Sequence, residues 1–470
     1  MGEMTVPAHV LYGASTQRAV LNFPISGRTV PPEIIHAFAL LKKACAEANL
    51  ELKKIDKKRC TLITAACDEI IAAMEGQESE IGSSVEEAME HFPIDIFQTG
   101  SGTSTNMNAN EVIANIAART AGRPIGGKEP IHPNDHVNMG QSSNDTFPTA
   151  MQVAAAIAIH GSLIPALKAM TKTLKAKARQ WDSIVKIGRT HLMDATPIRL
   201  GQEFSGYAAQ TGYCVTRAER AMVRLAENLP IGGTAVGTGI NTHPRFAKLV
   251  VRRLRGATGI KFAEALNHFE AQATRDCVVE ASGELKTIAI SFTKIANDIR
   301  WLGSGPRCGL FELSLPATQP GSSIMPGKIN PVMCEAVMQV ACQVVGNDAA
   351  ITMGGAGGIG SLLELNVAMP MMAANLIDAI MLLANVASTF DENCLQGLQV
   401  NKDVATGMVE KSLMTITALA PEIGYDQAAK AAKAAFETGQ TVREYVLQHQ
   451  LVEPDRLDEL LDARAMTEPA

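Results

Sequence analysis

The chain has 470 residues. At roughly 150 residues per domain this predicts about three domains, or fewer if one is an elongated helical body. Hydrophobic residues make up 46%, charged residues 19% and aromatics 4%, a balance that supports a large core and leaves extensive surface to be covered by other subunits. The formal net charge of −6 excludes a general nucleic-acid binder, which needs a basic face, but allows a locally positive site for a small anion.

Taken in chain order, the N-terminus carries no apolar signal region, and its first arginine is Arg18. The patterns at 34–52 and 60–74 predict helices rich in Ala, Leu, Lys and Glu. Residues 122–140, rich in Gly, Pro, Asn and His, predict a connection. Long helical patterns follow at 147–180, 199–228, 267–302, 331–353 and 363–390. In the third, Val278, Ala281, Leu285, Ile288, Phe292, Ile295, Ile299 and Leu302 alternate spacings of three and four. That is a heptad seam, which demands helical partners along its length. Beyond residue 400, Pro421, Gly424 and Gly439 punctuate shorter helices. The expected fold is mainly all-α, with an N-terminal domain at 1–141, a long central helical bundle at 142–400 and a C-terminal helical domain at 401–470. Strand-length apolar runs are scarce, which disfavours a parallel sheet. No uncharged apolar run reaches the ~18 residues of a membrane span, so no membrane partner is expected.

The nine cysteines include no Cys-x-x-Cys pair, and Cys214, Cys277 and Cys342 lie in apolar helical patterns. Reduced core thiols in a reducing compartment are expected, the cytoplasm ahead of a processed mitochondrial form because no transit segment is seen. The ten histidines are scattered, so no metal is expected.

The most informative stretch is Gly321-Ser322-Ser323-Ile324-Met325-Pro326-Gly327-Lys328-Ile329-Asn330-Pro331. Its composition suits an ordinary surface loop. A mere turn, however, has no need of Lys328, and Ile324 and Met325 predict that part of the loop packs inward. Five residues separate Gly321 from Gly327 and Ile329 follows the lysine, so the run is not a Walker A phosphate loop; the Gly-x-Ser-x-Gly elbow is also absent. Three more polar stretches precede helical patterns: Thr99 to Asn108, Gln141 to Asp145, and Gly188 to His191. Each hydroxyl or amide there suits a helix N-cap. Several helix N-termini meeting in one place would instead form a carboxylate site.

The pattern Gly-Ser-Ser-x-Met-Pro-x-Lys-x-Asn, with these three stretches in the same order, resembles the fumarase/aspartase superfamily over nearly the whole chain. The resemblance implies a homotetramer whose sites are each shared by three subunits. It implies a four-carbon dicarboxylate substrate (fumarate or L-malate), no cofactor, and trans addition or elimination of water through an aci-carboxylate intermediate. Ser322 is then the base, through its alkoxide, with Lys328, Asn330 and the loop N–H groups stabilising the intermediate. His191, paired with Glu335, and Thr103 hold the water. Ser101, Thr103, Ser142, Ser143, Asn144, Thr190 and Ser323 contact the carboxylates, with Lys328 and Asn330. Read from the residues alone, His191 serves equally as a buried hydrogen-bonded side chain, and Glu335 as a first-turn acid complementing a helix dipole.

The resemblance also implies a second carboxylate site on His132-Pro133-Asn134-Asp135, residues that suit a type I turn as well. Glu129 stands where some relatives place an arginine, and its carboxylate would repel a dicarboxylate. Ser143 and Gly327 take the fumarase form, where aspartases carry Thr and Ala; Ser104 to Glu111 fits either. Gly357 to Leu363 looks a few residues longer than in fumarases. A fumarase-type hydro-lyase is therefore expected, with aspartate ammonia-lyase and a non-catalytic structural protein as alternatives. Relatives carry about a dozen residues ahead of the position of Met1, so Met1 is expected to be a late start.

Overall fold

A computed structural model describes residues 3–469, and the expectation about Met1 lies outside them. The chain is mainly helical, as the periodicity predicts. Among the described residues the sheets are three two-stranded antiparallel pairs. The chain divides into two compact units. The first comprises Met1–Pro165, Thr216–Ala289 and Ala341–Ala384; the second comprises Ala166–Val215, Ile290–Val340 and Asn385–Ala470. The long helices Leu200–Ala226, Asp276–Leu302, Val332–Gly355 and Met369–Phe390 each contribute a segment to both.

The heptad seam explains why such long helices persist. All eight of its residues are buried, none more than 5% exposed. Covering a large apolar side chain stabilises by roughly 1.5–3 kcal/mol, so partners rather than intrinsic propensity hold the helix. In the first unit, the helices Pro32–Glu51, Lys57–Met74 and Thr103–Thr120 contribute to one core that includes Ile35, Ile63, Phe92 and Ile113. In the second, Trp181 packs edge-on against Phe204 at 4.6 Å, and Tyr207 donates to Asp298 at 3.0 Å. A separate cluster of Leu419, Val442, Val446 and Leu457 holds the C-terminal helices together.

Several expected helices differ in detail. The 267–302 pattern is two helices, because His268–Ala273 ends at an extended Thr274 before Asp276–Leu302 begins. A break of only two residues, Thr274 and Arg275, leaves the apolar pattern almost uninterrupted. The 363–390 pattern becomes helical only at Met369; a hairpin of Ser361–Leu362 and Leu365–Asn366 occupies its start. The 147–180 pattern is Ser143–Ala158 and Ile164–Gln180, joined by a π-helical turn at Ile159–Leu163. The stretches 143–180 and 369–395 are long and apolar enough to cross a membrane, yet most of each apolar window is buried within the fold. All nine cysteines are free, and Cys342, expected in the core, is exposed. It lies on the uncovered side of its helix, whose buried side presents Val337, Ala341 and Val344. Replacing Phe292 with alanine should cost about 3–5 kcal/mol, read as a lower midpoint in urea unfolding.

Candidate active site

In the first unit, two helix N-termini come together. Thr103 opens the Thr103–Thr120 helix after Gly102, whose left-handed φ of 72° ends the preceding loop. The Ser101 and Thr103 hydroxyls lie 2.9 Å apart. Behind them Gly100 has no room for a side chain, since a Cβ would fall 1.6 Å from the Val367 carbonyl oxygen. Ser142 caps the Ser143–Ala158 helix, accepting from the Asn144 N–H at 3.2 Å. Asp145 completes a capping box by accepting from the Ser142 N–H at 2.9 Å. Asn106, one turn into the first helix, donates to Ser143 Oγ at 2.9 Å and accepts from Thr146 at 3.2 Å. These bonds join the two N-termini. Asn144 Nδ2 donates to the Ala235 carbonyl at 2.7 Å, fixing the glycine-rich 232–239 loop beside the turn.

Asp145 is the pin beneath this arrangement. It is fully buried, and its Oδ2 accepts from the Gly232 and Thr234 N–H groups at 3.0 and 2.9 Å. Burial pushes its carboxyl up to about 6, against the pull of three backbone donors and Lys42. Its value lies above the ordinary 3.8, so its contribution to stability is fully present below that ordinary value. The contribution is lost as pH rises through about 6.

In the second unit, the 321–330 loop closes on itself. The Gly321 N–H donates to the Lys328 carbonyl at 2.8 Å, and Asn330 Nδ2 donates to the Gly321 carbonyl at 2.6 Å. A Cβ on Gly321 would meet the Lys328 oxygen at 2.5 Å, so only glycine permits the closure. Ser322 Oγ accepts two backbone N–H groups, from Ile324 at 3.2 Å and Met325 at 3.0 Å. Lys328 Nζ donates to Asn330 Oδ1 at 2.7 Å, and Ser323 is exposed. The expected inward packing does not occur within the chain: Ile324 is 85% exposed and Met325 49%. The loop closes through its own hydrogen bonds and leaves these side chains exposed.

Thr190 and His191 do not precede a helix directly. Thr190 ends one arm of an antiparallel hairpin, Val185–Thr190 with Met193–Arg199. His191 and Leu192 form its two-residue tip, with φ of 58° and 62°. That left-handed geometry normally favours Asn or Gly. Histidine is among the side chains that adopt it more readily than most. The base of the hairpin is fixed by the buried Glu312, which pairs with Lys186 and Arg189, each at 2.8 Å. Lys186 also pairs with Glu203 at 3.0 Å. The alternating β-branched pattern around Ile187 was the available sequence signal for a strand. His191 is exposed, and among the described residues no ion pair joins it to Glu335. Glu335 is half-buried in the first turn of Val332–Gly355.

The His132 turn is a π-helical turn, Pro133–Val137, rather than type I. The His132 ring caps it, Nδ1 accepting from the Asn134 and Asp135 N–H groups at 3.1 Å each. Among the described residues no group of three or more His, Cys, Asp or Glu could hold a metal. The supporting residues Lys42, Asn138, Asp145 and Glu312 had no role in the sequence reading, because their importance lies in long-range contacts. An Asp145→Asn change offers one acceptor oxygen where two serve, and each orphaned buried donor costs about 1–3 kcal/mol. The expected outcome is a corresponding loss of stability in denaturant titration.

A family model described as lyase matches residues 2–346, and one described as fumarase C C-terminus matches residues 416–468. The chain is 48% identical over 470 residues to the class II fumarate hydratase of Neisseria meningitidis, covering 100% of this chain and 98% of the relative. It is 50% identical over 448 residues to the mitochondrial fumarate hydratase of Rhizopus oryzae, covering 95% and 87%. Among solved structures, recombinant class II fumarase from Schistosoma mansoni matches with a TM-score of 0.93 at 36% identity, covering 100% and 98%. The native form of a fumarate lyase:delta crystallin from Brucella melitensis matches with a TM-score of 0.87 at 40% identity, covering 98% of each chain.

Proposed function

Because the chain belongs to the class II fumarate hydratases of the fumarase/aspartase superfamily, we propose how its own residues carry that family's reaction. The activity is that of a hydro-lyase, the reversible hydration of fumarate to L-malate. The observation that carries the residue assignment is the pair of backbone N–H groups aimed at Ser322 Oγ. Serine is far too weak an acid to ionise unaided, and two fixed donors favour its alkoxide.

In the direction of elimination, Ser322 takes a proton from the methylene carbon beside a carboxylate. The electron pair enters that carboxylate, giving an aci-carboxylate dianion. It then returns to form the double bond as the C–O bond breaks, and the hydroxyl leaves as water with a proton delivered through His191. Acid–base catalysis supplies about 10²–10⁴-fold, whereas enzymes reach about 10⁶–10¹⁷. Stabilising the dianion must supply much of the difference, with each placed donor worth roughly 3–4 kcal/mol. Lys328, Asn330 and the loop N–H groups are assigned that task. Thr103 and His191, oriented by Glu335, hold the water. Ser101, Ser142, Ser143, Asn144, Thr190 and Ser323 grip the carboxylates.

The site is assigned to a homotetramer in which three subunits contribute residues. Supporting this, Ile324, Met325 and Ile329 are bare in the single chain, as are Tyr213, Ile290, Val345 and Met353 on the long helices. Such surfaces suit burial against further copies. The compartment read from the sequence is the cytoplasm; the relatives include bacterial enzymes and mitochondrial ones.

Ser322→Ala should lower kcat by roughly 10²–10⁴-fold or more while the oligomer's size on gel filtration stays unchanged. Near-normal turnover would remove Ser322 from the role of base. Incubation with L-malate should produce fumarate, followed by its ultraviolet absorbance, and incubation with L-aspartate should not. Product from aspartate alone would reassign the chain as an ammonia-lyase.

A further inference from the structure

Lys42 lies in the middle of the Pro32–Glu51 helix and is 0% exposed, and the mechanism above does not use it. Its ammonium donates to two side-chain oxygens, Asn138 Oδ1 at 3.0 Å and Gln141 Oε1 at 2.9 Å. Among the described residues it forms no ion pair. Burying a cation without a contacting carboxylate costs several kcal/mol, and two amide dipoles offset only part of that.

The two amides lead straight to the polar turn. Asn138 Oδ1 also accepts from Asn106 Nδ2 at 3.2 Å, and the same Nδ2 donates to Ser143 Oγ at 2.9 Å. Asn138 Nδ2 donates to the Gln141 carbonyl at 3.2 Å. Gln141 Nε2 donates to the Val137 and Met139 carbonyls at 3.0 and 3.2 Å. Gln141 is itself the residue before Ser142. Lys42 therefore holds the oxygen end of each amide while backbone carbonyls hold the nitrogen end. Without it, both oxygens lose their cationic donor, and the support that Asn138 gives Asn106 behind Ser143 is loosened.

The charged and titratable groups facing Lys42 do not cancel it by contact. Asp145, from the Ser143–Ala158 helix, is committed to three backbone N–H groups. The thiols of Cys45 and Cys67 are pushed up by burial and stay neutral. Arg253, which faces Cys45, is occupied by Glu47 at 3.0 Å and Glu51 at 2.9 Å. A positive charge is thus held three hydrogen bonds from Ser143, through Asn138 and Asn106.

We propose that Lys42 is a positioning residue for the hydration reaction: through Asn138, Gln141 and Asn106 it orients Ser143 and the Ser142–Asn144 turn, and its charge is balanced by the substrate carboxylate held there. The inference rests on the reading of that turn as a carboxylate grip. Burial lowers the Lys42 ammonium to about 8, the Asp145 carboxylate pulling the other way. The charge is therefore present at neutral pH and is lost as pH rises through about 8, and carboxylate binding weakens in the same window. Bound dicarboxylate favours the protonated form and moves the loss to higher pH.

The test uses the full-length enzyme with L-malate from about pH 6 to 9.5, a range that brackets this loss and stays below the ordinary lysine value. Wild type, Lys42→Met, Lys42→Arg and Ser143→Ala are compared. Lys42→Met should raise KM about tenfold or more while kcat changes less. Wild-type KM should climb above about pH 8, and Lys42→Arg, which stays charged, should flatten that climb. If Lys42→Met does not fold, the comparison of wild type with Lys42→Arg carries the test. A Lys42→Met KM within twofold of wild type, or an alkaline climb unchanged in Lys42→Arg, overturns the proposal. Ser143→Ala separates the two readings. A raised KM there with an unaltered Lys42→Met removes only the role of Lys42, and an unaltered KM in both removes the grip itself.

Discussion

A polar atom taken out of water must find a partner, and the candidate site is arranged around that demand. Three of the polar loops are held from behind by an ionic or amide side chain. Asp145 ties the Ser142 turn to the 232–234 loop. Glu312 fixes the base of the His191 hairpin through Lys186 and Arg189. Asn330 closes the 321–330 loop onto its own start. With their backs occupied, these loops hold their polar groups in fixed positions, several of them already bonded to one another. This is the condition for electrostatic catalysis, in which dipoles are oriented before charge develops rather than in response to it.

The helices supply the frame for this arrangement and part of its field. Thr103 and Ser143 each begin a helix, where free N–H groups and the helix dipole attract negative charge. The heptad seam of Asp276–Leu302 makes rigid elements long enough to carry such ends at fixed positions. Specific chemistry is confined to short segments at the ends of a generic apolar scaffold.

That division explains what the sequence disclosed. Helix-period burial is local and repetitive, so the seam from Val278 to Leu302 was legible residue by residue. Ser142 as an N-cap was legible for the same reason, since capping is a matter of neighbours. The 191–192 hairpin was not, because its strands are short and its tip lacks the Asn-Gly that announces such turns. Nor was the outward face of Ile324 and Met325. Apolar character says that a side chain will be covered, but not whether its own chain or another one covers it. Lys42, Asp145 and Glu312 were invisible for a third reason. Their roles depend on partners about 90 to 125 positions away, and no pattern within a helix or loop encodes such a distance.

The bare side chains of the 321–330 loop tie chemistry to association. In the proposed tetramer, a strip that carries the proposed base and also exposes Ile324, Met325 and Ile329 to water is completed by another copy. A newly synthesised copy would remain idle until it met its siblings. Dilution would then silence the enzyme before it unfolds, making its output rise more steeply than its abundance.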